Sequence, residues 1–99
     1  MATFYIEEYA SIMTDFAGNE IPVPSNLLAT QKLPIGSTSV QSANFNEKTA
    51  FLVLTAKADA QYEIDTNPTA DTNSRIIIAD TTIERFANGS QKIAVIEAQ

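Results

Sequence analysis

The chain has 99 residues, the length of one domain, and 44% of them are hydrophobic, which is enough for a single thin core. Its 6 Lys and Arg against 12 Asp and Glu give a formal net charge of −6, so the composition argues against nucleic acid or an anionic membrane surface as a partner. The basic residues are scattered along the sequence: Lys32, Lys48, Lys57, Arg75, Arg85 and Lys92.

The first quarter of the chain predicts extended structure interrupted by a turn. Side-chain type alternates over residues 3–7, and a mixed strand is predicted to continue through Tyr9 to Ile12. Gly18-Asn19 predict a turn because both residues adopt left-handed conformations at low cost. Residues 21–24 (IPVP) are predicted to be extended but not a central strand, because each proline lacks a backbone donor. We therefore expect residues 1–24 to form an N-terminal arm or an edge hairpin.

The rest of the chain predicts short strands separated by turns. Residues 50–56 contain four consecutive apolar residues, which indicates a strand buried on both faces. Residues 88–90 (NGS) are typical of a turn that closes a hairpin. The other predicted strands lie at residues 30–35 (an edge strand), 38–45, 61–65, 75–79, 82–86 and 92–97.

The regular spacing of these strands predicts the fold class. Turn signals recur roughly every 8–12 residues, which is typical of an antiparallel sandwich or barrel. We therefore predict an all-β protein in which residues 1–99 form a single antiparallel β-sandwich, jelly-roll-like, with seven or eight short strands.

The residue types that carry acid–base and metal chemistry are absent or dispersed. The chain has no histidine and no cysteine, so catalytic triads, thiolate chemistry and most zinc sites lack their usual member. Glu7 and Glu8 are expected to point to opposite faces of a strand, so they do not converge. Glu63 and Asp65 share a face that is expected to be exposed to solvent and need no catalytic explanation. A calcium site at Asp65 and Asp71 lacks the spacing of a calcium loop. We expect no enzyme activity, no metal and no cofactor; carboxylate-only catalysis would need a cleft that so short a chain rarely builds.

Two segments place large side chains where exposure or a sheet edge is expected. Residues 3–11 are aromatic and of mixed polarity, and residues 21–33 are apolar and contain prolines. Exposed apolar area and open strand edges are sites of protein association, although the same segments would also suit the completion of the core. The predicted partner-binding residues are Phe4, Tyr5, Ile6, Tyr9, Pro22, Val23 and Pro24.

Several segments in the last three quarters of the chain carry a family resemblance. They are residues 28–36 (LATQKLPIG), 41–46 (QSANFN), 49–55 (TAFLVLT), 59–60 (DA), 66–70 (TNPTA), 83–86 (IERF) and 89–96 (GSQKIAVI). Together they resemble small tailed-phage virion proteins that are encoded near the major capsid protein. Their motifs are strand and turn patterns and define no active site.

The resemblance implies a capsid decoration, or cement, protein. Such a protein is a small β-sandwich or jelly roll that is made in the host cytoplasm and sits on the capsid surface of the virion as a dimer or trimer. It binds the outer surface of the major capsid protein shell and stabilises it. The expected partners are therefore the major capsid protein and further copies of the chain, with neither nucleic acid nor membrane.

An alternative places the chain in a tail, baseplate or head-fibre module that contacts a host glycan. Glycan sites usually offer an exposed aromatic ring with amides and carboxylates nearby. Tyr62, Gln61 and Glu63 would supply these three groups.

Overall fold

The computed structural model describes residues 2–10, 12–14, 20–22 and 27–98. This part of the chain holds strands, turns and loops, and none of it forms a long apolar helix of the kind that crosses a membrane. The described strands are β1 (Ala2–Tyr9), β2 (Ile12–Thr14), β3 (Glu20–Pro22), β4 (Leu27–Ile35), β5 (Val40–Gln41), β6 (Phe51–Ala56), β7 (Ala60–Asp65), β8 (Arg75–Ile77), β9 (Thr81–Phe86) and β10 (Lys92–Glu97).

Eight of these strands form two antiparallel sheets of four strands each. The first sheet has the order β4-β1-β6-β9 and the second the order β5-β10-β7-β8. Strand β4 lies over β5 and β10 at one side of the molecule, so β9 and β8 form the edges of the other side. The remaining two strands, β2 and β3, pair with each other.

The inner faces of the two sheets supply one core, which confirms the predicted all-β sandwich. Alternate residues of each strand point inward, and the strands are rich in the β-branched and aromatic residues that suit such a surface. Fully burying a large apolar side chain stabilises the fold by roughly 1.5–3 kcal/mol. The largest fully buried apolar side chains are Phe4, Ile6, Leu52, Leu54, Tyr62, Ile77, Ile93 and Val95, each with at most 2% of its surface exposed.

The order of the strands is that of a jelly roll in which β1, the first described strand, occupies the place of the eighth. A jelly roll of eight strands pairs them as 1-8-3-6 and 2-7-4-5. Counting β4 to β10 as strands 1 to 7 and β1 as strand 8 gives the same two sheets. The two ends of the described chain lie close together, because Ala2 pairs with Ile35 while the Glu97 N–H donates to the Gly36 carbonyl at 2.9 Å.

The N-terminal segment differs from the predicted arm. Strand β1 lies inside the first sheet and pairs with β4 on one side and β6 on the other. Its inward residues are part of the core, so residues 2–9 cannot leave the domain as an arm would. The hairpin that the sequence also allowed is confined to β2 and β3, in which Ile12 pairs with Pro22.

The turn at residues 88–90 connects the two sheets and does not close a hairpin, because β9 and β10 belong to different sheets. Gly89 packs here against the backbone of another turn. A Cβ added to it would overlap the Glu47 Cα and lie 2.8 Å from the Asn46 carbonyl oxygen. The glycine is therefore required by the close approach of two backbones.

We expect Gly89→Ala to lower the free energy of unfolding by about 1–3 kcal/mol, because backbone atoms have to move to admit the methyl group. Urea unfolding followed by circular dichroism measures the change. Ser90→Thr, exposed in the same turn, keeps the hydroxyl that donates to the Asn88 Oδ1 at 2.6 Å. It is the control and should stay within about 0.5 kcal/mol of the parent. An equally stable Gly89→Ala protein would contradict the close packing of the two turns.

Candidate functional site

One side of the sandwich is formed by the edge strands β8 and β9, and we call it the open side. In the described part of the chain, neither strand pairs with a further strand on its outer edge. The segment from β8 to β9 carries three of the five large hydrophobic residues that are described as exposed: Ile76 (62%), Ile78 (56%) and Phe86 (71%). Unpaired edges with apolar side chains are sites at which proteins associate.

A cavity of about 300 Å³ opens between the two sheets on this side. We call it the arginine cleft. Both arginines of the chain reach it. Arg75 pairs with Tyr62 and Arg85 pairs with Leu52 across antiparallel strands. Because directly paired residues share a face of the sheet, and Tyr62 and Leu52 are buried in the core, both arginines point inward. The residues that line the cleft are Tyr62, Glu63, Ile64, Arg75, Arg85, Phe86 and Gln91.

Arg85 is held in place by two hydrogen bonds. Its Nε donates to the Tyr62 hydroxyl at 2.9 Å, and its Nη1 donates to the Glu84 carbonyl at 2.7 Å. Tyr62 is only 1% exposed, and a buried hydroxyl needs a partner within the protein. The core thus fixes one guanidinium group at the inner wall of the cleft.

The two guanidinium groups have no carboxylate partner among the described residues, where the one ion pair joins Lys57 to Asp80 at 3.6 Å. Glu63 also lines the cleft, where its Oε2 accepts a hydrogen bond from the Ser74 hydroxyl at 3.1 Å, so the two guanidinium groups outnumber the one carboxylate. Guanidinium groups present several donors in a planar fork that matches carboxylate and phosphate. The cleft is therefore a local cationic site on an acidic protein.

A second, shallower groove lies on the outer face of the first sheet. It has a volume of about 330 Å³ and is lined in part by Tyr5, whose ring centroid lies 5.7 Å from the Lys32 ammonium group. Tyr5 is 37% exposed. Thr30, Thr55 and Glu7 add polar groups around the ring.

The seven predicted partner-binding residues are placed differently from one another. Phe4 and Ile6 are fully buried in the core, whereas Tyr5 lies on the surface in the groove. Tyr9 is buried and stacks on Phe51 with a centroid separation of 4.9 Å. Pro22 ends β3, while Val23 and Pro24 lie outside the described residues.

Burial of Tyr9 also affects the pKa of its hydroxyl. Desolvation raises the pKa of its hydroxyl, and the nearby Glu7 raises that pKa further by charge and by a hydrogen bond. The neutral phenol is thus favoured, which suits a ring that packs against Phe51.

The glycan site suggested by residues 61–63 does not form as predicted. Tyr62 and Gln61 are 1% and 2% exposed, so neither offers a surface ring or amide. The Gln61 amide donates to the Ser74 carbonyl at 3.3 Å, beneath the loop of residues 66–74. Among the described residues, no group of three acidic side chains is placed to hold a metal ion.

A buried carboxylate was missed by the sequence prediction. Glu8 is 1% exposed and points toward the interior of the sandwich. Its Oε1 accepts hydrogen bonds from the Asn46 N–H at 2.6 Å and the Thr49 hydroxyl at 3.0 Å, and its Oε2 accepts one from the Gln31 amide at 3.0 Å. Gln31 in turn accepts a bond from the Ala43 N–H at 3.0 Å. This network attaches the segment of residues 43–49 to β1 and β4.

We expect Glu8→Gln to lower the free energy of unfolding by about 1–3 kcal/mol, because an amide group cannot accept all three bonds and leaves buried donors unpaired. Thermal unfolding measures the loss, and amide hydrogen exchange at Asn46 and Thr49 should accelerate. Glu47→Gln, exposed in the same segment, is the matched control. Unchanged exchange in Glu8→Gln would show that the network does not hold the segment.

Comparison of the chain with models of protein families, with curated proteins and with solved structures finds no match.

Proposed function

We propose that the protein is a phage virion structural protein: a capsid decoration, or cement, protein that binds the outer surface of the major capsid protein shell. The observation that carries this proposal is the open side, where two unpaired edge strands and the exposed Ile76, Ile78 and Phe86 provide a surface for another protein. The sequence resemblance to small virion proteins supports the choice of a capsid as the partner.

The proposed mechanism is stabilisation by mass action. A module that binds the assembled shell and not its free subunits stabilises the shell by RT ln(1 + [L]/Kd). A contact of ordinary size buries about 800 Å² per partner. Repetition over a symmetric shell, in the proposed dimeric or trimeric form, multiplies a modest affinity.

Sedimentation with shells assembled from the major capsid protein of the phage that encodes the chain tests the proposal. We expect saturable binding and a higher melting temperature of the shell. The double variant Ile76→Ser with Phe86→Ser should weaken binding by at least about tenfold, because buried aromatic and aliphatic anchors dominate interface energy. Both side chains are exposed in the free protein, so the variant should fold.

Two control variants locate the contact. Leu27→Ser removes an exposed apolar side chain on β4, away from the open side, and should leave binding unchanged. Tyr5→Ala tests the exposed member of the sequence-predicted set. Wild-type protein that fails to sediment with the shell would refute the decoration function, and a density map with the chain on the tail would favour the alternative.

The alternative function, a tail, baseplate or head-fibre module that contacts a host glycan, is favoured by the groove around Tyr5. A half-exposed ring beside Lys32, with threonine hydroxyls around it, offers stacking and hydrogen bonds to a sugar. A glycan array tests it, with binding that is lost in Tyr5→Ala. An array without any bound glycan would exclude this alternative.

A further inference from the structure

We infer that the arginine cleft receives the carboxylate side chains of an extended, acidic segment of a protein partner. The inference deepens the proposed function, on which it rests for the partner's identity: it assigns the docking point on the open side and the chemistry that it recognises. The capsid subunit would then present an acidic segment to β8 and β9.

Charge complementarity indicates that the ligand of the arginine cleft is an anion. Two guanidinium groups line one cavity, and neither has an ion-pair partner in the described part of the chain. Arg85 is positioned in advance by Tyr62, so little conformational freedom is lost when an anion binds. The remaining donors of Arg85 and those of Arg75 are available for a bidentate contact.

The form of the ligand follows from what surrounds the cleft. It opens between the two unpaired edges, whose backbone groups can bind an extended chain. Phe86 lines the cleft, and Ile76 is the neighbour of Arg75 on β8; both are exposed apolar anchors beside the cationic centre. A polypeptide with alternating acidic and apolar side chains matches both features, because its successive residues point to opposite sides.

Inward-pointing charges have another use on edge strands, where they prevent sheets from joining edge to edge. This role makes a different prediction. If the two arginines only protect the edges, their removal increases self-association and changes no affinity for an anion. If they bind a partner, their removal weakens that binding.

The test uses the full chain and a defined probe, the blocked peptide acetyl-Val-Glu-Val-Glu-Val-Glu-amide, with the Gln-for-Glu peptide as its neutral counterpart. Binding is followed by NMR through the Nε–H signals of Arg75 and Arg85 and the amide signal of Phe86. We expect the acidic peptide to shift all three signals, with an affinity that falls as salt is added. The neutral peptide and free acetate at equal carboxylate concentration should bind far more weakly.

Variants complete the test. Arg75→Gln, which changes an exposed side chain that forms no ion pair in the described structure, should weaken peptide binding by about tenfold. The double variant with Arg85→Gln should abolish it. Lys32→Gln with Lys48→Gln makes the same change in net charge at two exposed positions away from the open side, and should have no effect beyond a small electrostatic one. Dispersed amide spectra show that each variant is folded.

The outcomes distinguish failure of the inference from failure of the proposed decoration function. Equal binding of the acidic peptide by Arg75→Gln and wild type, or signals that shift with free acetate but not with the peptide, would overturn the inference. Increased self-association of the double variant without loss of peptide affinity would assign the arginines to edge protection. Shell binding that survives the double variant would refute the docking point alone, whereas wild-type protein that binds the peptide and not the shell would refute the decoration function.

Discussion

Buried polar groups in this sandwich have to find their hydrogen-bond partners within the protein, and two of them organise the parts that the core does not reach. No buried side-chain nitrogen or oxygen of the described residues lacks a partner. The Glu8 carboxylate is satisfied by the segment of residues 43–49, which it thereby attaches to the first sheet. The Tyr62 hydroxyl is satisfied by Arg85, which places a charged group at the margin of the core. Each buried group thus fixes the position of a surface element.

The consequence is a molecule with two unlike sides. Where β4 lies over β5 and β10, chain segments close the space between the sheets. Where β8 and β9 end the sheets, the space stays accessible and holds two arginines in place of apolar side chains. A thin core of this kind gives a domain of modest stability, and a partner on the accessible side would add to it. The open side would therefore determine both partner binding and the additional stability that a bound partner provides.

The sequence predicted the fold class well, because alternation and turn residues are local signals. Residues 50–56 were recognised as a buried strand from four consecutive apolar residues, and β6 indeed lies inside the first sheet. Sheet order is a non-local property, so the alternation that predicted a strand over residues 3–12 could not distinguish an edge strand from the interior strand β1. The candidate site was missed for a related reason. Arg75 and Arg85 are ten positions apart in sequence and meet only through the pairing of β8 and β9 with different strands. The sequence nevertheless contained a signal that both arginines point inward, since each is two residues from an isoleucine and therefore shares a face of its strand with it.

The place of β1 in the first sheet has a consequence for how this fold relates to other jelly rolls. Ala2 and Glu97 both contact the short stretch formed by Ile35 and Gly36. A short linker from the end of β10 to the start of β1, with a new break before β4, would therefore yield a circular permutant with the standard jelly-roll chain order. The set of paired strands, and with it the core, would be the same in both proteins. The architecture is thus defined by which strands are neighbours, and the point at which the polypeptide starts is a separate variable that can change without altering the packed layers.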